Sequence, residues 1–99
     1  MLTIEKNLNG SELVVALKGR LDTTTAPELE KELKEALDGI SAFVIDMADL
    51  EYISSAGLRV LLSAQKTMNK QGTMKIAHVK NAIMEIFEVT GFSDILTIE

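Results

Sequence analysis

Cysteine is absent from this sequence and histidine occurs once, which excludes much of the chemistry that small proteins perform. Without cysteine there are no disulfides, no thiolate nucleophile and no cysteine metal ligands. The lone His78 lies at the end of a predicted strand, and a triad with Ser55 and an aspartate would lack a nucleophile elbow. Asp46 and Asp49 could be metal ligands, but two acids without a histidine are a weak signal. We therefore expect no catalysis, no metal and no cofactor.

Basic residues and long apolar runs are also scarce. The chain has 15 acidic and 10 basic residues, a net charge of −5, whereas a duplex-binding domain normally presents a clustered basic surface. No apolar run approaches the roughly 20 residues that cross a bilayer, and the N-terminal residues show no signal-peptide pattern. We expect a cytoplasmic protein that contacts neither nucleic acid nor membrane.

The residues that are present predict one α/β domain over residues 1–99. Apolar residues make up 46% of the chain and aromatic residues only 4%, which indicates an aliphatic core. Strand-length apolar runs alternate with segments of helical periodicity in the order β-β-α-β-α-β-α-β, the last strand being expected at residues 95–98. This alternation predicts a mixed, mostly parallel sheet of about four or five strands with crossover helices.

Local signals predict where the elements begin and end. Asn9–Gly10 supplies turn residues for an opening hairpin. Thr25–Glu28, with a proline in the first helical turn, resembles a capping box for the first helix. The apolar run Ala42–Ile45 predicts a buried central strand, and residues 46–53 are interpreted as a connecting segment. Gly91 predicts a left-handed end to the third helix.

Two serines, Ser54 and Ser55, precede the second predicted helix. A serine there has a structural explanation, because its hydroxyl can accept a hydrogen bond from a first-turn amide, which stabilises by about 1 kcal/mol. One cap is sufficient, however, and Gly57 lies in the first turn, where glycine costs about 1 kcal/mol relative to alanine. The missing side chain lets a ligand or another backbone come close, and tight helix–sheet packing explains it equally well. The segment should lie at the carboxyl edge of the sheet, where open α/β sheets place functional groups.

Two motifs make the chain resemble a STAS domain of the anti-sigma factor antagonist family. Residues 19–26, Gly-Arg-Leu-Asp-Thr-Thr-Thr-Ala, resemble the family's glycine–any–leucine/isoleucine–aspartate segment before the first helix. Residues 46–58 resemble its aspartate-rich loop ending in aspartate/serine–serine–serine/alanine–glycine–leucine. The order of elements also matches, so the resemblance spans essentially the whole chain. Many members carry aspartate directly before the phosphorylated serine, where this chain has Ser54.

The resemblance implies a binding switch. In that family the serine two places before the glycine is phosphorylated, and here that residue is Ser55. The unmodified protein would bind an anti-sigma factor that is itself a serine kinase, and the sigma factor would be released. Phosphorylation would end this binding, and a PP2C-type phosphatase would reset the switch. We expect the free protein to be a monomer. The expected partner-binding residues are Asp22, Thr23, Thr24, Ser54, Ser55, Ala56, Gly57 and Arg59.

Two of the site residues, and the function of the whole chain, have alternative explanations. Asp22 is equally well explained as a cap or turn residue. Arg59, which could contact the partner or the phosphate, could also belong to an ordinary solvated helix face. A receiver phosphorylated on Asp46 is a second candidate for the whole chain, but the region Lys6–Asn9 lacks the acidic pair that would hold magnesium. A third is a STAS scaffold, a subunit of a transporter or signalling complex, without a serine switch.

Overall fold

The computed structural model describes all 99 residues and contains four strands and three α-helices. The predicted order of elements is confirmed as far as the third helix, and Gly91 ends that helix with a φ of 81°. None of the helices is long and apolar enough to span a membrane. In chain order the elements are β1 (Leu2–Asn9), β2 (Glu12–Leu21), α1 (Ala26–Ala36), β3 (Ala42–Ile53), α2 (Ser55–Gln71), β4 (Thr73–Ala77), α3 (Asn81–Thr90) and a 3-10 helix (Phe92–Asp94).

The strands form one mixed sheet in the order β1-β2-β3-β4. β1 pairs antiparallel with β2, and β3 is parallel to both β2 and β4, which confirms the predicted mostly parallel sheet. The last predicted strand, residues 95–98, is reduced to a single parallel bridge between Ile98 and Ile76. The reason is local: the amides of Ile95 and Leu96 both donate to the carbonyl of Phe92, so a helical turn continues into the segment expected to be a strand.

The core lies on one face of the sheet. Leu13, Val15 and Leu17 of β2 are almost completely buried, whereas Val14 and Ala16 between them are only half-buried. Strand residues alternate between the two faces. Right-handed crossovers that move in one direction across the sheet place α1 and α2 on the same face. The opposite face, which we call the outer face, therefore carries the half-buried and exposed residues of β2 and β3.

The third strand is longer than the apolar run Ala42–Ile45 predicts. It continues to Ile53, so residues 46–53 belong to the sheet and their interpretation as a connecting segment was wrong. They pair in parallel with the second half of β2, which ends at Leu21. The ends of β2 and β3 therefore lie side by side.

Two register shifts explain why the sequence pattern did not predict a strand in this half of β3. One follows Ala16 of β2 and the other follows Gly19, and at each shift β3 has one more residue than β2. Extra residues of this kind disturb the two-residue alternation that identifies a strand. The buried residues here recur at every third position: Met47, Leu50 and Ile53.

Asp46 consequently lies within the sheet, between Ala16 of β2 and Ala77 of β4. Its Oδ1 accepts a hydrogen bond from the amide of Ala48 at 2.9 Å and lies 3.1 Å from Nδ1 of His78. The receiver alternative depended on an aspartate that follows its strand. That geometry is absent, because β3 continues for seven residues beyond Asp46.

The corner between α2 and β4 depends on a close approach of two backbones. The amide of Gly72 donates to the carbonyl of Met68 at 2.7 Å, and the next amide, of Thr73, donates to the carbonyl of Ser41 at 3.0 Å. A Cβ atom on Gly72 would overlap that carbonyl group of Ser41. Backbone atoms cannot rotate away as a side chain can, so this position requires glycine.

We expect Gly72→Ala to destabilise the fold by about 2 kcal/mol, the usual scale of an overpacked site. The measurement is the free energy of unfolding from urea titration followed by circular dichroism. Lys70→Ala, on the exposed surface of the same helix turn, is the matched control and should change that value by less than about 0.5 kcal/mol. Equal stability of the two variants would contradict the close approach.

Candidate functional site

The two motifs meet at the carboxyl edge of the sheet. Leu21 and Ile53 are register partners at the ends of β2 and β3. The chain leaves these ends as the loop that begins at Asp22 and as the serine pair that begins at Ser54. The amide of Ser54 donates to the carbonyl of Leu21 at 2.9 Å, which joins the two segments directly. We call the surface formed by residues 22–24, residues 54–56 and Arg59 the edge site.

Asp22 organises the loop before α1. Its Oδ1 accepts hydrogen bonds from the amide of Thr24 at 3.0 Å, the hydroxyl of Thr24 at 2.7 Å and the amide of Thr25 at 3.1 Å. The bond from the Thr24 hydroxyl is the main cause that lowers the pKa of this carboxyl group below its ordinary value. Asp22 thus has the turn role considered above, while Thr23 and Thr24 are exposed.

The capping box predicted at Thr25 does not form. The side chain of Thr25 makes no capping bond to α1. It is only 8% exposed; its hydroxyl donates to the carbonyl of Arg20 at 2.9 Å and accepts from the amide of Asp22 at 2.8 Å. The first amide of α1, that of Ala26, instead donates to the carbonyl of Asp22 at 2.8 Å. The predicted capping role of Thr25 was wrong, because its hydroxyl instead joins the loop to the end of β2.

The two serines have different surroundings. Ser54 is half-buried and caps α2: its Oγ accepts from the amide of Gly57 at 3.4 Å, and its carbonyl accepts from the amide of Leu58 at 2.9 Å. Ser55 is the first residue of the helix and is exposed. Its hydroxyl takes part in none of the hydrogen bonds of the structure. The capping explanation therefore applies to Ser54 and leaves the Ser55 hydroxyl without a structural role.

Gly57 is explained by packing. It is buried, and a Cβ atom there would lie 2.7 Å from Cγ of Leu21 and 2.8 Å from Cγ1 of Ile53. The first turn of α2 therefore sits directly on the buried ends of β2 and β3. Of the two explanations given for this glycine, tight helix–sheet packing is the one that the structure supports. Gly57 is the one expected partner-binding residue that is buried.

A groove runs between α1 and α2 from the edge site. It encloses about 590 Å³ and is lined near the site by Thr23, Ala56, Arg59 and Val60. Arg59 is exposed and forms no ion pair. Because Arg59 follows Ser55 by four residues, the two lie on the same face of α2. The guanidinium is therefore available to a partner or to a group attached to Ser55.

His78 and Asp46 lie away from the edge site. The strand distance from Asp46 to Ile53, seven residues of β3, is roughly 20 Å at about 3.3 Å per residue. The structure therefore does not bring Ser55 and His78 together.

Sequence reasoning missed two residues beside the edge site. The guanidinium carbon of Arg20 lies 4.4 Å from the ring centroid of Tyr52, and its Nε lies 3.9 Å from Oδ2 of Asp22. One signal was available, since Tyr52 is the only tyrosine of the chain and stands two residues before Ser54. The register that pairs Tyr52 with Arg20 depends on the two register shifts between β2 and β3, and it could not be inferred from the sequence.

Comparison with known proteins decides the family. The model of the STAS domain family matches residues 3–99. The chain belongs to the STAS domain family. Among its relatives is a protein of Bordetella bronchiseptica named as an anti-sigma factor antagonist, BtrV. It is 37% identical over 99 residues, which cover 98% of this chain and 84% of that protein.

Solved structures share the fold of this chain. An anti-sigma factor antagonist from Mycobacterium paratuberculosis aligns with a TM-score of 0.89 and 24% identity, covering 99% of this chain and 85% of that one. The Bacillus cell-fate determinant SpoIIAA in its phosphorylated form aligns with a TM-score of 0.77 and 13% identity, covering 98% and 91%. At these identities the likeness concerns the fold alone.

The depressed pKa of Asp22 predicts how the loop responds to acid. A carboxyl group whose pKa is lower in the folded state stabilises the fold above its unfolded value, near 3.9, and this contribution is lost as the pH falls through the folded value. Asp22→Ala should therefore lower the melting temperature at pH 7, and the gap to wild type should narrow below about pH 4.

The measurement is thermal unfolding from pH 7 to pH 2.5. Asp38→Ala, which removes an exposed carboxylate that makes no hydrogen bond, is the control and should stay close to wild type throughout. A gap for Asp22→Ala that widens in acid would contradict the hydrogen-bonding role assigned to this carboxylate.

Proposed function

We propose that this STAS protein is an anti-sigma factor antagonist controlled by phosphorylation of Ser55. In its unmodified form it binds, in the cytoplasm, an anti-sigma factor that is also a serine kinase, and the sigma factor is released. Phosphorylation of Ser55 ends this binding, and a PP2C-type phosphatase restores it. Membership of the family and a relative named as an antagonist support the proposal.

The observation that carries the proposal is the contrast between the two serines. The hydroxyl of Ser54 is engaged by the amide of Gly57, whereas the exposed hydroxyl of Ser55 has no partner. A kinase must bring its γ-phosphate in line with an accessible oxygen. Ser55 supplies such an oxygen without any loss of a structural hydrogen bond, and Ser54 does not.

The position of Ser55 explains how a phosphate could be accepted by the fold and still end binding. A phosphoserine adds about 1.5 to 2 negative charges. At the start of α2 those charges face free amides and the positive end of the helix dipole, which favour an anion. In a closed interface the same charges would need to lose their water, a change that opposes association. SpoIIAA, which has the same fold, has been solved in a phosphorylated form.

The edge site is the surface that we propose for the partner. Asp22, Thr23 and Thr24 form its first segment, and Ser54, Ser55 and Ala56 form its second. The bond from Ser54 to Leu21 fixes the two segments relative to each other. Gly57 lets the first turn of α2 pack closely on the strands, and Arg59, one turn beyond Ser55, adds a cation on the same face of the helix.

The first test is intact-mass analysis after incubation with ATP and the anti-sigma factor kinase of the same genome. We expect one added phosphate on the wild type and on Ser54→Ala, and none on Ser55→Ala. Ser54→Ala is the matched control, since it removes the neighbouring hydroxyl. It should lower stability by about 1 kcal/mol, the value of a helix cap.

Two outcomes would contradict this proposal. Phosphate on Ser55→Ala but not on Ser54→Ala would move the switch to the capping serine. No phosphate on any variant, with binding to the kinase retained, would favour the STAS scaffold without a serine switch.

Arg59→Glu tests the charge at the edge site. Reversing this charge should weaken binding of the unmodified protein to the kinase by roughly ten-fold, because it places an anion beside the interface. Lys70→Glu is the matched control: it lies eleven residues further along the same face of α2, about 16 Å away, and should leave the affinity unchanged. Surface plasmon resonance measures both. Equal affinities for the two variants would remove Arg59 from the partner surface.

A further inference from the structure

Arg20 and Tyr52 occupy a defined place beside the edge site. They are register partners near the ends of β2 and β3. The next pair, Leu21 and Ile53, is buried in the core. Since successive residues of a strand point to opposite faces, Arg20 and Tyr52 project from the outer face of the sheet. Tyr52 precedes Ser55 by three residues, which corresponds to roughly 10 Å of extended chain.

The two side chains hold each other in an ordered arrangement. The guanidinium carbon of Arg20 lies 4.4 Å from the centre of the Tyr52 ring, a cation–π contact. Its Nε is also 3.9 Å from the Asp22 carboxylate, the group that organises the first segment of the edge site. This chain of contacts links the pair to the site. It also reduces the rotamer freedom that the side chains would lose on binding.

Both side chains retain unused binding capacity. The side chain of Arg20 is 52% exposed, and Tyr52 is 37% exposed. Neither the guanidinium N–H groups nor the phenol takes part in a hydrogen bond of the structure. The other aromatic residues are used in packing: Phe43 and Phe87 are fully buried and Phe92 packs against the core. Tyr52 is therefore the most exposed of the four aromatic side chains.

We propose that the Arg20–Tyr52 pair is a second contact point for the kinase partner of the edge site. This inference rests on the function proposed above. Tyrosine and arginine are among the residue types that contribute most to binding energy in protein interfaces. The partner would present an apolar recess to the ring and a carboxylate or main-chain carbonyl to the guanidinium. It would then cover the edge of the sheet and extend onto the outer face.

The size of a stable interface supports a single partner for both surfaces. Such an interface covers about 800 Å² and about 20 to 30 residues on each protein, whereas the edge site comprises only residues 22–24, residues 54–56 and Arg59. Tyr52 lies within roughly 10 Å of Ser55 along the chain and Arg20 is its register partner, so the pair falls inside one footprint of that size. Because the Arg20–Tyr52 pair is continuous with the edge site, the partner that covers Ser55 is favoured as its binding partner over a second copy of this chain.

The test compares the affinities of five proteins for the purified kinase: wild type, Tyr52→Ala, Tyr52→Phe, Arg20→Gln and the double variant that combines Arg20→Gln with Tyr52→Ala. We expect Tyr52→Ala to weaken binding roughly 30-fold, as at an interface hot spot. Tyr52→Phe keeps the ring and the cation–π contact, and should remain within about three-fold of wild type. Arg20→Gln combined with Tyr52→Ala should weaken binding less than the two separate effects predict, because the residues act together.

Lys75→Gln is the control, since Lys75 lies on the same outer face but on β4. It should bind as the wild type does. Melting temperatures of all variants are measured in parallel, so that a loss of binding can be separated from a loss of fold.

A second measurement needs no substitution. Because the chain has one tyrosine, 3-fluorotyrosine labelling gives one fluorine NMR signal. Binding of the kinase should shift that signal and protect it from a soluble paramagnetic relaxation agent. If the wild type binds the kinase, while Tyr52→Ala binds equally well or the fluorine signal stays fully accessible, the inference is wrong and the proposed function stands. If the wild type does not bind the kinase, the proposed function fails, and this inference with it.

Discussion

The register between Leu21 and Ile53 is the constraint on which the candidate site depends. These residues end the two central strands side by side, and both are buried. Gly57 has no side chain, so the first turn of α2 can rest on them. The hydrogen bond from the Ser54 amide to the Leu21 carbonyl then fixes where the helix begins. Two segments separated by about thirty residues in sequence are brought together by this packing of apolar side chains.

Neighbouring polar residues at this edge have different roles in hydrogen bonding. Ser54 caps α2, whereas the hydroxyl of Ser55 beside it makes no hydrogen bond. The carboxylate of Asp22 accepts hydrogen bonds from its own loop, and the hydroxyl of Thr25 joins that loop to β2. The half-buried Ser54 and the buried Thr25 thus hold the two segments in place, and the exposed hydroxyl of Ser55 is left without a structural hydrogen bond. The proposed switch uses a hydroxyl that the fold does not need.

Much of this architecture could be predicted because it follows from local patterns. The order of elements, the left-handed glycine after α3 and the place of the serine pair all rest on signals within a few residues. Residues 46–53 could not be assigned to a strand, because the register shifts that disturb their alternation are a property of the pairing with β2. The roles of Thr25 and the pairing of Arg20 with Tyr52 also depend on contacts between separate strands and loops. Sequence patterns of neighbouring residues do not contain that information.

The extension of β3 to Ile53 has a consequence for how this family of chains can vary. A true loop between Asp46 and Ser54 could gain or lose a residue at little cost. Within a regular strand, one deleted residue moves every following side chain to the opposite face. In this segment a single deletion leaves Ile53 in the core only where it removes one of the two extra residues of β3. A change in the number of residues should therefore be tolerated only at the two register shifts, and elsewhere in the segment natural variation should consist of substitutions on the outer face.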